Sequence, residues 1–167
     1  NAHVSAVKAV EAVGTLPALI QGGMGVAISD WRLANAVSTA GALGVVSGTA
    51  LDQVLARRLQ DGDPGGHMRR ALDDFPVPAI AARIRERYFV DGGKDERRAY
   101  ATLPMHSREG SPDLWQLCVV ANFVEVWLAR EGHGNPVGIN YLEKIQIPHL
   151  ASIYGALLAG VDYILMG

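Results

Sequence analysis

Residues 22–25, Gly22-Gly23-Met24-Gly25, follow a short apolar run. Glycines there let backbone come close to a flat ligand, and their N–H groups can face ring oxygens and nitrogens. A tight strand-to-helix turn would use the same residues, so both readings stand. Asn140 is a carboxamide inside the otherwise apolar run 136–142. When buried it must find hydrogen-bond partners or cost about 1–3 kcal/mol. At the carboxyl end of a strand that partner is either a ligand group or a neighbouring strand end. Lys144 and Gln146 lie just beyond, within reach of an anionic group or a ring carbonyl, or else solvated.

Other chemistries fail on spacing. A dinucleotide fingerprint needs a third glycine where Ile28 stands and an acidic residue at the end of the second strand, where Ser47 and Gly48 stand. His133, in 130–134, precedes a strand, which assigns it to the end of the sheet that serves stability. His67, His106 and His149 have no second ligand at metal spacing, so no metal site is expected. The single cysteine, Cys118, sits between Leu117 and Val119 and reads as a buried, inert thiol. Arginines 57, 58, 69, 70, 83, 85, 87, 97 and 98 read as the wet faces of helices, or as a basic rim for phosphorylated or acyl-carrier substrates.

The elements that must position these groups follow from periodicity. Residues 16–21 form a short apolar run entering the glycine loop, which predicts a buried strand. Ser29 or Asp30 caps the next helix, Leu33, Ala36, Val37 and Ala40 mark its apolar face, and Gly41 stops it. Residues 42–48 predict a second strand, 136–142 a third and 161–166 a fourth. A helix starting near Pro148 and bearing Leu150, Ile153, Tyr154, Leu157 and Leu158 joins the last two. Short apolar strands joined by helices call for parallel pairing. Between Gly48 and Pro136 the pattern is helical, with helices expected over 51–60, 67–73, 79–88 and 113–130. The last is apolar over more than one stripe, which calls for burial in the core or in a subunit contact of a homodimer.

At 167 residues, 49 % hydrophobic and 19 % charged, the chain can bury a core. A net charge of −2 supplies no field for nucleic acid or an anionic membrane, and no apolar run approaches the ~20 residues that span a bilayer. Neither partner is expected, and a cytoplasmic location follows by default.

Residues 19–24, Leu-Ile-Gln-Gly-Gly-Met, and 33–44, Leu-Ala-Asn-Ala-Val-Ser-Thr-Ala-Gly-Ala-Leu-Gly, together with Val137-Gly138-Ile139-Asn140, closely resemble motifs of the nitronate monooxygenases (2-nitropropane dioxygenase-like proteins) and the related flavin-dependent enoyl-acyl carrier protein reductases. The resemblance implies the N-terminal part of an FMN-binding (β/α)8 TIM barrel over 1–167, with a helical insertion over 49–135 between the second and third strands. The remainder of the barrel is then expected after Gly167. It also implies FMN held by Gly22, Gly23, Met24, Asn140 and Lys144. The loop after Met24 is one residue longer than in typical members. The family's glycine-glycine-histidine motif would lie beyond Gly167, so no catalytic residue is named. The implied activity is FMN-dependent oxidation of a small-molecule substrate, an alkyl nitronate. Reduction of enoyl thioesters with NAD(P)H and a non-catalytic docking role in a biosynthetic cluster are the alternatives.

Overall fold

A computed structural model describes residues 16–103, 111–144 and 148–167. Along the chain these form α1 (Trp31–Thr39), β1 (Gly44–Ser47), α2 (Leu51–Gln60), α3 (His67–Asp73), α4 (Pro78–Tyr88), α5 (Pro112–Arg130), β2 (Val137–Tyr141), α6 (His149–Leu158) and β3 (Tyr163–Met166). Of the two caps expected for α1, Asp30 serves: its Oδ1 accepts from Arg32 N and Leu33 N at 3.0 and 3.2 Å.

The three strands pair in parallel in the order β1-β2-β3, with Val46 opposite Ile139 and Ile139 opposite Ile164. Side chains alternate across a strand. Val46, Val137, Ile139 and Tyr141 therefore face the helices and join their apolar core. Val45, Ser47, Gly138 and Asn140 face the other way.

This architecture corrects the barrel expectation. Among the described residues the sheet is an open one of three parallel strands, accompanied by six helices, and not the opening section of a (β/α)8 barrel. Alternating strands and helices are common to open sheets and closed barrels, so the repeat alone says nothing about closure. The expected first strand is also absent. Residues 16–21 contribute one bridge, Ile20 to Leu43, and Leu16, Leu19 and Ile20 are 75 %, 69 % and 50 % exposed. An apolar run of that length is compatible with a strand but supplies no pairing partner.

The helices between β1 and β2 supply most of the core. The 19-residue α5 packs against α1, α2, α3, α4, α6 and the sheet, which explains its apolar surface on several sides. It meets α6 closely: a Cβ added at Gly155 would lie 2.0 Å from the Val119 carbonyl oxygen, so only glycine permits this approach. Phe75 and Phe123 meet edge to face at 5.0 Å, fixing the turn after α3 against α5.

Of the buried carboxylates in this helical layer, Glu125 ties several elements together. Glu125, on α5, accepts from Trp31 N at 2.8 Å, so it also satisfies an open N–H at the start of α1. Its other oxygen takes Arg58 Nη1 at 2.6 Å, and Arg58 Nη2 reaches Asp30 at 3.4 Å. Burial pushes the Glu125 carboxyl up, while Arg58 and the Trp31 N–H oppose that shift. Three helices are thus tied at one buried carboxylate.

Candidate functional site

The carboxyl ends of β1 and β2 bring two polar side chains side by side. Ser47 and Asn140 are register partners, each on the sheet face turned away from the helices. Ser47 Oγ and Asn140 Oδ1 are buried and find no hydrogen-bond partner among the described residues. Native interiors seldom leave such atoms unpaired, because each costs the desolvation of a polar group. Two of them on adjacent strand ends mark a place built to meet a polar partner. Open α/β sheets bind ligands at that end of their strands.

The glycine loop comes to the same end. Ser47 N donates to Ser29 O at 2.8 Å, so the segment 22–29 leaves the Ile20 bridge and returns to the end of β1. Gly23 is buried against Val45, and Met24 is 67 % exposed. Nothing lies within 4 Å of a Cβ built on Gly22. The structure therefore gathers Gly22, Gly23 and Asn140 at one edge, with Met24 on its exposed rim. Lys144 stands in the turn after β2, exposed, and makes no hydrogen bond or ion pair among the described residues. That turn is tied to the end of β3 through Glu143 N and Gly167 O at 3.1 Å. Gln146 and His106 lie outside the described residues.

Ser47 is the candidate site residue that sequence reasoning missed. Its only local signal is a hydroxyl closing the apolar strand Gly44-Val45-Val46-Ser47, and it gains meaning through its pairing with Asn140.

The other candidates have structural roles. His133 Nδ1 accepts from Asn135 N at 3.2 Å and its Nε2 lies 2.8 Å from the Ala129 carbonyl, which stitches the approach to β2 at the opposite end of the sheet. His149 Nε2 lies 3.0 Å from the Leu142 carbonyl, and the His67 ring packs on Trp31. No group of three His, Cys, Asp or Glu side chains suited to a metal occurs among the described residues. Cys118 is buried with Sγ 3.1 Å from Ser152 Oγ. Burial pushes its thiol up to about 11, against a smaller opposing effect of the Ser152 hydroxyl, so it is no nucleophile at neutral pH.

Volume points elsewhere. Hollows of about 390 and 500 Å3 run along α4. Arg83, Arg87 and Arg85 there already pair with Gln116, Asp113 and Asp73, and among the described residues these walls hold no buried unpaired side-chain atom. The unpaired atoms of Ser47 and Asn140 are the more specific sign. Compared with family models, with curated proteins and with solved structures, the chain matches none.

Proposed function

We propose that the chain binds FMN at the edge formed by Gly22, Gly23, Met24, Ser47 and Asn140, and serves an FMN-dependent oxidoreductase acting on a small anionic carbon acid such as an alkyl nitronate. The unpaired Ser47 Oγ and Asn140 Oδ1 carry this reading. An isoalloxazine offers what they lack: an imide N–H for the Asn140 oxygen and ring heteroatoms for the Ser47 hydroxyl. Gly23 N–H makes no hydrogen bond among the described residues and can donate to a ring carbonyl. Met24 adds an exposed, polarisable apolar side chain suited to a flat ring. Lys144, exposed just past β2, is the cation available to an anionic group.

When bound, FMN supplies the electron-accepting ring, and the protein's part is to orient it and set its surroundings. An orienting edge whose acceptor is unpaired in the free protein gains its hydrogen bond only on binding, so the interaction adds fully to retention.

The test is flavin uptake by the purified chain, followed by anaerobic addition of substrate. Retained flavin absorbance that bleaches with an alkyl nitronate supports the proposal. Bleaching with NADPH alone moves the assignment to enoyl-thioester reduction, and a protein that stays colourless after incubation with FMN rejects both. Asn140→Ala is expected to cut retained flavin severalfold; unchanged occupancy after dialysis would remove Asn140 from the site.

A further inference from the structure

We infer that Gln21 is a positioning residue that sets the aim of the Gly23 N–H, an inference resting on the FMN reading only for the identity of the ligand that this N–H meets. Gln21 stands where strand pairing stops. Its own N–H still donates to Leu43 O at 3.0 Å, continuing the Ile20–Leu43 bridge. The next donor on β1, Val45 N, is met by the Gln21 side-chain Oε1 at 3.0 Å and not by a backbone carbonyl. The side chain thus takes the place of a backbone acceptor and frees the segment after Gln21 to turn away from the sheet.

The other end of the same carboxamide acts on the loop. Gln21 Nε2 donates to the Gly22 carbonyl at 2.8 Å, and Ser29 Oγ reaches that carbonyl at 3.4 Å. The Gly22 carbonyl and the Gly23 N–H belong to one planar trans peptide and point in opposite directions. Holding the carbonyl from the Gln21 and Ser29 side therefore turns the N–H to the opposite side. Gly23 cannot relieve this by shifting inward, because a Cβ there would already lie 2.6 Å from Val45 Cγ1 and 2.7 Å from the Val45 oxygen. One carboxamide thereby links a strand donor to the orientation of the Gly23 amide, which makes no hydrogen bond among the described residues.

The two ends of Gln21 can be separated chemically. Gln21→Glu keeps an oxygen for Val45 N–H but has no donor for the Gly22 carbonyl, whereas Gln21→Leu loses both. Titration of the full chain with FMN is expected to show about a five- to tenfold weaker Kd for Gln21→Glu with the melting temperature nearly unchanged, and a lowered melting temperature for Gln21→Leu. Amide NMR of the free protein is expected to show a displaced, faster-exchanging Gly23 signal in Gln21→Glu, and this readout needs no flavin. If wild type takes up no FMN while the Gly23 signal moves, the FMN reading falls and the positioning role stands. A Gly23 signal and FMN affinity both unchanged in Gln21→Glu would overturn the inference, as would a Gly23 signal unchanged in a chain that binds no FMN.

Discussion

Glu125 and Asn140 are both polar side chains set among apolar neighbours, and they are treated in opposite ways. Glu125, in the helical layer, receives a guanidinium at 2.6 Å and a backbone N–H at 2.8 Å, so its burial is matched group by group. Asn140, at the strand ends, buries an oxygen that nothing meets among the described residues, beside a Ser47 hydroxyl in the same condition. The helical layer leaves one such atom unpaired among the described residues, Trp31 Nε1, while at the strand ends two lie side by side and Met24 and Ile28 nearby are 67 % and 77 % exposed. Satisfied burial is what stability requires. Unsatisfied burial beside exposed apolar side chains is what a binding edge looks like before its ligand arrives, because sites commonly break local rules that the rest of a fold obeys.

Mutations can break this contrast from either side. The largest loss is expected for Glu125→Ala, which leaves the mostly buried Arg58 with only its 3.4 Å contact to Asp30 and uncaps Trp31 N; urea denaturation should register about 4 kcal/mol. A loss near the few tenths typical of surface pairs would mean that the helical layer is not tied at this carboxylate. Gly155→Ala follows at roughly 3 kcal/mol, since its methyl group meets the Val119 carbonyl and must part α5 from α6. A neutral result in thermal melting would refute that close approach.

Cys118 gives a pH-dependent test of the same helical layer. Its folded-state thiol, raised to about 11 by burial, stays protonated where an unfolded thiol ionises near pH 8.5. The unfolded state therefore holds fewer protons between those values, and stability falls as pH rises through that window. Wild type should lose about 2–3 kcal/mol relative to Cys118→Ala between pH 8.5 and 11. Parallel stability curves for the two proteins would show the thiol to be solvated. The smallest effect has the opposite sign: Ser47→Ala is expected to raise stability by about 1 kcal/mol by removing an unmet hydroxyl, while lowering FMN retention. Destabilisation would show that Ser47 already has a partner, and the contrast between the two regions would collapse.

The helices were legible to within a residue or so because each carries its own evidence. The apolar spacing over 51–60 and 67–73 matches α2 and α3 at both ends, and the spacing expected over 113–130 becomes Pro112–Arg130. Strands carry less local information, since pairing is decided by distant residues. The run 16–21 reads like 42–48 in composition, yet one makes a single bridge and the other yields Gly44–Ser47, buried throughout. Closure of the sheet is a still less local property, and the βα repeat pointed the wrong way. Among the candidate site residues, Gly22, Gly23 and Asn140 were visible by type because a glycine loop and an amide in an apolar run are locally unusual. Ser47 and Gln21 were not, because a serine at a strand end or a glutamine before a glycine is ordinary until β1 and β2 come into register.

The long excursion between β1 and β2 also governs how the chain reaches this state. Ser38 Oγ bonds the Pro136 carbonyl across 98 residues, and β1 has no partner strand on that side until β2 arrives. Closing so large a loop is entropically costly before any strand contact repays it, so sheet assembly belongs late in folding and its rate should be slow for a domain of this size. Until then Val45 and Val46 sit in an unpaired apolar strand. The tie among Arg58, Glu125 and Trp31 shortens the remaining search, because α5 docked on α1 and α2 delivers β2 to the side of β1. Loss of that tie is therefore expected to slow refolding as well as to lower stability, which stopped-flow refolding of Glu125→Ala would register.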